Sequence, residues 1–299
     1  MKEISVICFG EILWDNIQEG RRLGGAPLNV CYHLKKMNIN SKIISAIGND
    51  PDGRELLNEL KKLGINSIFC QVSDVAPTSQ VHVNVKEDHS VAYEIVENVA
   101  WDYIRSDKDL ENLVAASDAL VFGSLVTRSE ISRNTLFTLI EKSRRRVFDV
   151  NLRVPFYDKD TIMGLMAKTH LLKLNVDELD IIMDWFGVKS SAELIQLESI
   201  QHRFPEVDTI ILTKGADGAT YYSNGDHLSV QAMKVNVQDT VGSGDAFLAA
   251  FLAARLQNSS IPEALEQANV LSGFIASQPG ACPEYKIQDL HNFKHNSNV

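Results

Sequence analysis

The sequence has little of several features that would place it outside ordinary globular proteins. Its 299 residues include four cysteines, and no two of them form a C-x-x-C pair. Scattered cysteines of this kind are typical of reduced, buried thiols rather than of a disulfide framework or a zinc site. Proline is also scarce, with eight residues, and no proline- or glycine-rich linker divides the chain. We therefore expect one domain over residues 1–299 and a cytoplasmic location.

Positive charge and long apolar runs are scarce as well. The chain has 29 Lys and Arg against 39 Asp and Glu, for a formal net charge of -10. A chain with this balance and no long basic block is a poor partner for nucleic acid or an anionic membrane. The most apolar stretch, Ala246 to Ala254, is about half the length of a membrane span. We therefore expect small molecules as ligands, with no nucleic acid and no membrane.

The chain does contain short apolar strands that alternate with amphipathic helices. "ISVICFG" (4–10), "KIISAIG" (42–48) and "DALVFGS" (118–124) are typical of buried strands. This alternation predicts an α/β fold whose mostly parallel sheet is covered on both faces. Segment 78–98 instead alternates apolar and polar residues around a polar turn, which predicts a two-stranded ribbon. Such a ribbon is marginally stable alone, so it should pack across a ligand or against a second subunit.

Polar, glycine-bearing loops follow many of the predicted strands. Examples are "GEILWDNIQEGRRLGGAPLN" (10–29), "DVNLR" (149–153) and "DTVGSGD" (239–245). Ligands of open α/β sheets bind beyond the carboxyl ends of the strands, where these loops meet. Any one such loop can be polar without having a function. Their joint occurrence predicts a site assembled from several loops.

The loop "DTVGSGD" leads into the most apolar helix that the sequence predicts. Gly242, Ser243 and Gly244 stand where backbone N–H groups of a helix point outward, which suits an anion such as a phosphoryl group. Asp245 follows in the first turn. It is either a general base for an attacking hydroxyl or an acid that merely stabilises the helix dipole. The apolar residues behind it predict a buried helix that holds this end rigidly.

Further polar residues of these loops suit a small polyol. Asp15 is a charged acceptor for sugar hydroxyls, and Asn29 can donate or accept. Gly24 and Gly25 let the backbone approach a small ligand.

The stretch "NVDE" (175–178) allows two interpretations. Asn175 and Glu178 are three residues apart on one face of a predicted first helical turn. Such a pair can hold a hydrated Mg²⁺ beside phosphates. It is equally an ordinary helix cap. Other nucleotide signatures are missing, since the sequence has no Walker A loop, no G-x-G-x-x-G and no protein-kinase motif.

Four motifs in order resemble the PfkB-type, ribokinase-like family of carbohydrate kinases. "GGAPLNV" (24–30) is similar to the N-terminal signature of that family and "DTVGSGDAF" (239–247) to its C-terminal signature. "NVDE" resembles its N-x-x-E motif and "TKGADG" (213–218) its nucleotide loop. The resemblance covers about residues 4 to 285. It implies an α/β, ribokinase-like three-layer fold with a small β-sheet lid formed by about 11–23 and 78–100.

The resemblance also implies an ATP-dependent kinase that phosphorylates a sugar hydroxyl with Mg²⁺. By its motifs, Asp245 is the base, Gly242, Ser243 and Gly244 form the anion hole, and Glu178 orders Mg²⁺ through water. Some relatives bind K⁺ at the positions of Asp239 and the Val241 carbonyl. The lid implies a homodimer. Sugar contacts are then Asp15, Gly24, Gly25 and Asn29, and nucleotide contacts Asn175, Thr213, Lys214, Gly215 and Asn269.

The acceptor is the most open part of the interpretation. "GGAP" (24–27) has no lysine where ribokinases and phosphofructokinases of the family usually carry one, and with the lid stretch 93–104 it resembles bacterial fructokinases. We therefore favour phosphorylation of fructose at O6. The alternative is a 2-keto-3-deoxygluconate kinase, whose substrate carboxylate needs a cation such as Arg105, Arg153 or Lys173. A non-catalytic sugar sensor is disfavoured because the glycines and Asp245 are all present.

Overall fold

A computed structural model describes residues 3–17, 20–85 and 91–296 of the chain. Within them lie thirteen strands and ten helices. The strands are β1 (Ser5–Phe9), β2 (Leu13–Ile17), β3 (Gly20–Gly24), β4 (Asn40–Gly48), β5 (Cys70–Ser73), β6 (Gln80–Val85), β7 (Val91–Ile95), β8 (Ala119–Gly123), β9 (Arg146–Asp149), β10 (Leu171–Asn175), β11 (Thr209–Thr213), β12 (Ala219–Ser223) and β13 (Asp226–Val230). The helices are α1 (Ala26–Lys36), α2 (Pro51–Lys62), α3 (Lys108–Ala116), α4 (Glu130–Ile140), α5 (Lys159–Met166), α6 (Val176–Phe186), α7 (Glu193–Arg203), α8 (Ser243–Leu256), α9 (Ile261–Ala276) and α10 (Ile287–Asn296).

The large sheet has the strand order β13-β12-β11-β10-β9-β8-β1-β4-β5. Its neighbouring strands β5, β4, β1, β8, β9, β10 and β11 pair in parallel. The β12–β13 hairpin adds an antiparallel edge beside β11. Alternate residues of β1 enter opposite cores, with Val6 and Cys8 on one face and Ile7 and Phe9 on the other. Helices α1, α2, α8 and α9 cover the first face, and α3 to α7 cover the second. This confirms the predicted three-layer α/β fold.

The small sheet has the order β3-β2-β6-β7. Strands β6 and β7 are the ribbon predicted from segment 78–98, and they pair antiparallel. The loop after β1 adds two strands that the period-2 pattern did not reveal, since β2 pairs antiparallel with β3 and parallel with β6. Residues 18, 19 and 86–90 of the predicted lid lie outside the described residues.

The small sheet rests on the N-terminus of α2. The Trp14 indole donates a hydrogen bond to the carbonyl of Asp52 at 3.1 Å. The Asp52 carboxylate accepts from Gln80 at 2.7 Å and from Arg21 at 2.6 Å. Arg21 also stacks on Trp14, with its guanidinium carbon 4.4 Å from the ring centroid. One acidic residue of α2 thus joins three strands of the small sheet to the large domain.

Helix α8 is the buried helix that the sequence predicts. All residues from Ala246 to Ala254 are buried, between α9, α1 and the sheet. The elements that were not predicted are α3, α5, α7, α10 and the β12–β13 hairpin. The side chains of β13 are mostly exposed, so it lacks the apolar run from which a strand is read. Within the described residues, no helix is long and apolar enough to cross a membrane.

Candidate active site

The predicted site residues converge at the carboxyl edge of the large sheet. Strands β1, β9, β10 and β11 all end there because they run parallel. Asn175 and Thr213 lie side by side in the β10–β11 register. Asn29 of α1 and Asp245 of α8, which are 216 residues apart in sequence, are hydrogen-bonded at this edge. The fold therefore brings the sugar-binding and base candidates together.

Gly242 shapes the N-terminus of α8. Its φ of +77° is in the left-handed region, and a Cβ there would lie 2.4 Å from the Cβ of Ala281. Both features require glycine. The amide and hydroxyl of Ser243 turn back to the Thr240 carbonyl at 3.2 and 2.9 Å. The N-cap residue Gly242 makes no side-chain cap, so the positive end of the helix dipole and the first-turn amides other than that of Ser243 are available to an anion.

Asp245 lies in that first turn, and its carboxylate accepts a hydrogen bond from the side-chain amide of Asn29 at 2.8 Å. Burial raises the pKa of Asp245 to about 6, and the negative charge of Asp149 adds to the increase. Lys173, the Asn29 bond and Arg153 oppose it. A carboxylate with this pKa is ionised at neutral pH and more basic than an exposed aspartate, as a general base requires.

A buried ion pair lies beneath the anion-hole candidate. The Lys173 ammonium contacts both carboxylate oxygens of Asp149 at 2.9 and 3.0 Å, and both side chains are buried. The same nitrogen is 3.2 Å from the point where a Cβ on Gly244 would be. A positive charge therefore lies next to Gly244, the second residue of α8, where negative charge would develop during phosphoryl transfer.

Asp15 and the two adjacent glycines form the part of the site that belongs to the small sheet. Burial raises the pKa of Asp15 to about 6, and the positive charge of Arg153 counteracts part of the increase. Gly24 lies against Asp15, since a Cβ on it would be 2.1 Å from the carboxylate. Gly25 has φ +117° and lies so close to the Glu11 carbonyl that a Cβ would be 2.3 Å from it. The two glycines thus bring α1 close to β2.

Glu11 is a site residue that the sequence analysis missed. It is buried, and its Oε1 accepts from the amide of Ala26 at 3.3 Å. Its Oε2 is buried without a hydrogen-bond partner among the described residues. Burial raises the pKa of Glu11 to about 7, and the charge of Asp245 contributes to the increase. An acid directly after the glycine that ends a buried strand was the signal available in the sequence.

Arg153 supplies positive charge to these acids. It is exposed after β9, and its charge lowers the pKa values of Glu11, Asp15 and Asp245 against the effect of burial. Of the three cations that the sequence suggested for a substrate carboxylate, Lys173 is occupied by Asp149. Arg153 is the one whose charge reaches the sugar-binding candidates.

Asn175 and Glu178 form a genuine helix cap. Each side chain accepts from the backbone amide of the other at 2.9 Å, and the second Glu178 oxygen accepts from the Leu152 amide at 3.0 Å. Within the described residues, no group of three His, Cys, Asp or Glu side chains could hold a metal ion. The remaining lone pairs of Glu178 fit a hydrated Mg²⁺ that is held mainly by phosphate and water, which is how this ion usually binds.

The four other nucleotide candidates have different surroundings. The hydroxyl of Thr213 donates to the Leu174 carbonyl at 3.4 Å, and Gly215 has open space where a Cβ would be. The Lys214 ammonium instead contacts Glu193 at 3.0 Å and Thr220 at 2.9 Å. The side-chain amide of Asn269 donates to the Gln231 carbonyl at 2.8 Å. The latter two side chains therefore have structural partners of their own.

Asp239 is held by protein groups at the position suggested for K⁺. Its carboxylate accepts from the amides of Val241 at 3.0 Å and Gly280 at 3.1 Å. The Arg22 guanidinium of the small sheet is 3.6 Å from the same carboxylate. Since a positive charge already neutralises Asp239, these residues do not fit a second cation well, and we derive no step through K⁺.

The chain is similar to known carbohydrate kinases over nearly its whole length. The family described as pfkB family carbohydrate kinase matches residues 3–287. A protein of Arabidopsis thaliana named probable fructokinase-5 is 26% identical over 307 residues, which is 93% of each chain. A crystal structure of fructokinase with bound ATP from Xylella fastidiosa superimposes with a TM-score of 0.85 at 17% identity, over 99% of each chain. A fructokinase structure from Vibrio cholerae O395 with fructose, ADP and calcium has a TM-score of 0.81 at 23% identity, over 97% of this chain and 98% of that one.

Proposed function

This chain belongs to the pfkB family of carbohydrate kinases, and on that premise we propose that it transfers the γ-phosphoryl group of ATP to O6 of fructose. One observation carries the proposal: Asp245 lies in an uncapped first turn and is hydrogen-bonded to Asn29. A base, an anion-binding helix end and a sugar-binding amide are thus joined in one place. The fold and the relatives named fructokinase support the choice of reaction and acceptor.

In the proposed mechanism, Asp245 orients the sugar hydroxyl and accepts its proton. The hydroxyl oxygen bonds to the γ-phosphorus as the bond from phosphorus to the β-phosphate oxygen breaks, and ADP leaves. The amides at Gly242 and Gly244 face the charge on the transferred group, and Lys173 lies behind Gly244. Positioning and charge stabilisation provide most of the rate acceleration of such reactions, so a rigid α8 is well suited to the task.

We assign the sugar to the pocket between β2 and α1. Asp15 and Asn29 are its polar contacts, and Gly24 and Gly25, which have no side chains, let α1 lie close to β2 beside it. Within "GGAP", Ala26 and Pro27 bring no charge, which suits an unphosphorylated sugar. Glu11 adds a third acidic group that the sequence did not suggest.

We assign the nucleotide to the neighbouring part of the edge, at β10 and β11. Asn175, Thr213 and Gly215 border it, and Lys214 and Asn269 belong to its supporting frame. Mg²⁺, when bound with the nucleotide, neutralises phosphate charge. Glu178 would contact its water shell, since both carboxylate oxygens already accept backbone amides.

A second acceptor, 2-keto-3-deoxygluconate, is favoured by one observation. The charge of Arg153 reaches all three site acids, so a guanidinium is in place for a substrate carboxylate. A turnover panel of fructose, ribose, 2-keto-3-deoxygluconate and fructose 6-phosphate decides between the acceptors. We expect the highest kcat/KM for fructose, whereas a clear preference for the sugar acid would replace fructose as the substrate.

We further propose that the small sheet closes over the sugar and joins two subunits into a homodimer. A four-stranded sheet that stands apart from the large one has an edge strand at each side, and such edges favour pairing with another chain. Light scattering at micromolar concentration tests the dimer. A molar mass equal to that of one subunit at this concentration would contradict the homodimer.

The base assignment is tested by Asp245→Asn. We expect kcat to fall by at least about 100-fold, because general-base catalysis contributes about that much or more. The Kd for fructose, measured by calorimetry, should stay within a few-fold of the parent value. Asp109→Asn is the matched control, since Asp109 is an exposed first-turn acid of α3, which covers the opposite face of the sheet from α8, and it should retain full activity. Full turnover by the Asp245 variant would refute the assignment.

A further inference from the structure

A chain of three side chains ends at Asp245, and its far end is a thiol. The Cys282 thiol donates to the side-chain carbonyl of Asn29 with a sulfur–oxygen distance of 3.3 Å. The Asn29 amide nitrogen donates to the Asp245 carboxylate at 2.8 Å. We propose that Cys282 is a positioning residue for the kinase reaction: its thiol orients the Asn29 amide so that the NH₂ group faces Asp245.

The directions of the two hydrogen bonds follow from the chemistry of the ends. An ionised carboxylate only accepts hydrogen bonds, so it selects the NH₂ side of Asn29. The opposite, carbonyl side then needs a donor. Burial and the nearby charge of Asp245 raise the pKa of the Cys282 thiol above its ordinary value, so the thiol keeps its proton. A protonated thiol is a donor, although a weak one.

The Cys282 side chain is held at this place by its loop. The Ala281 carbonyl accepts from the His33 ring at 2.9 Å, and the Pro283 carbonyl accepts from the Tyr32 hydroxyl at 2.7 Å. Ala281 also packs against Gly242, since a Cβ on Gly242 would lie 2.4 Å from the Cβ of Ala281. Both neighbours of Cys282 are therefore anchored on α1, which is also the helix that carries Asn29.

The orientation of Asn29 matters because of the groups that face Asp245. Asp149 and Glu11 bring negative charge, and Lys173 and Arg153 bring positive charge. The Asn29 hydrogen bond is one of the interactions that lower the pKa of Asp245. If the amide were free to turn, its carbonyl would face the carboxylate for part of the time. The carboxylate would then lose a donor and hold its proton to higher pH.

The inference rests on Asp245 as the base and is tested by Cys282→Ala, which removes the donor. We expect kcat/KM for the sugar to fall about 5- to 10-fold, as for the loss of one hydrogen bond. The acid limb of its pH profile should move to higher pH. Cys282→Ser keeps a donor and should restore both properties. Cys70→Ala is the control, because Cys70 is a buried cysteine in β5 at the far edge of the sheet, and it should leave the profile unchanged.

Two outcomes would overturn the inference: a Cys282→Ala profile equal to that of the parent, or a Cys282→Ser variant as impaired as the alanine variant. If the alanine variant does not fold, Cys282→Val, which also lacks a donor, takes its place. Carboxyl-carbon NMR titration of Asp245 in the parent and the variant gives a second readout without turnover. A parent enzyme inactive on every sugar would refute the proposed function, whereas an unmoved Asp245 titration would refute the role of Cys282.

Discussion

Three acidic side chains of the site are kept partly out of water, and each holds its proton more strongly for that reason. Burial raises the pKa of Glu11 to about 7 and the pKa values of Asp15 and Asp245 to about 6. A raised carboxyl pKa means that ionisation is less favourable in the folded state than in the unfolded state. At neutral pH these acids therefore destabilise the fold. Their presence together is more readily explained by chemistry than by packing.

Asp245→Asn should consequently stabilise the protein while it inactivates it. The pKa of Asp245 is about 6 in the fold against an ordinary 3.8, so the destabilisation develops from pH 4 to 6 and is complete above pH 6. Its removal should increase the free energy of unfolding at pH 7.5 by on the order of 1–3 kcal/mol. At pH 4 the difference should be small. Denaturant unfolding of the parent and the variant at pH 4 and pH 7.5 measures this difference in free energy. A variant less stable than the parent at pH 7.5 would contradict the raised pKa of Asp245.

Helix α1 connects the two halves of the site. Its first turn presents Asn29 to Asp245, and its later residues Tyr32 and His33 hold the loop 280–285 that supports Gly242. The His33 ring lies fully buried between the Ala281 carbonyl and the hydroxyl of Tyr285, at 2.9 and 3.0 Å. Nε2–H donates to the carbonyl and Nδ1 accepts from the tyrosine, so the ring is neutral.

This arrangement makes the loop sensitive to acid. Burial lowers the pKa of His33 to about 4 from an ordinary 6.5. The unfolded chain therefore binds this proton between pH 6.5 and 4 while the fold excludes it, and stability from His33 decreases over that range by up to about 3 kcal/mol. The loss of stability from pH 7 to 4 should be smaller in His33→Gln than in the parent. His202→Gln, at the exposed end of α7, should keep the parent slope. Equal slopes in all three proteins would contradict this role of His33.

The two sheets supply different parts of the candidate site. The large sheet supplies the edge at which α8, β9 and β10 meet, and the small sheet supplies Asp15. The small sheet is attached through Trp14, which is buried in the core of the large domain, through hydrogen bonds and ion pairs at Asp52, and through the Arg22–Asp239 pair. Partly exposed ion pairs of this kind contribute little stability each, so they permit movement of one sheet relative to the other. Closure over a bound sugar would exclude water from the reaction.

Hydrogen exchange tests this closure. Saturating fructose should slow amide exchange in β2, β3 and β6, because the proposed sugar site lies between the small sheet and α1. Strands β4 and β8, which pair with β1 inside the large sheet, serve as the internal control and should exchange as before. Unchanged exchange in the small sheet at saturating sugar would show that it does not act as a lid.

The sequence alone was sufficient for the fold class, the buried α8 and the ribbon of β6 and β7. These features are local, since apolar periodicity and glycine positions report on strands and helices within one segment. The four motifs also indicated the carbohydrate kinase family, and the family match over residues 3–287 confirms this prediction. The roles of the individual site residues remain predictions. The apolar pattern did not indicate strands β2 and β3, because their place beside β6 depends on residues far away in sequence, and only the family resemblance put segment 11–23 in the lid.

Only the tertiary structure decided which polar side chains stand alone and which have partners. The sequence presented Arg105, Arg153 and Lys173 as equivalent cations for a substrate carboxylate, but packing gives Lys173 to Asp149 and leaves Arg153 near the acids of the proposed sugar site. The folded structure also brings Glu11 and Cys282 to the candidate site, and neither residue belongs to one of the four motifs. Residue type and spacing determine what a side chain is able to do, whereas its pKa and its hydrogen bonds depend on neighbours that only folding supplies.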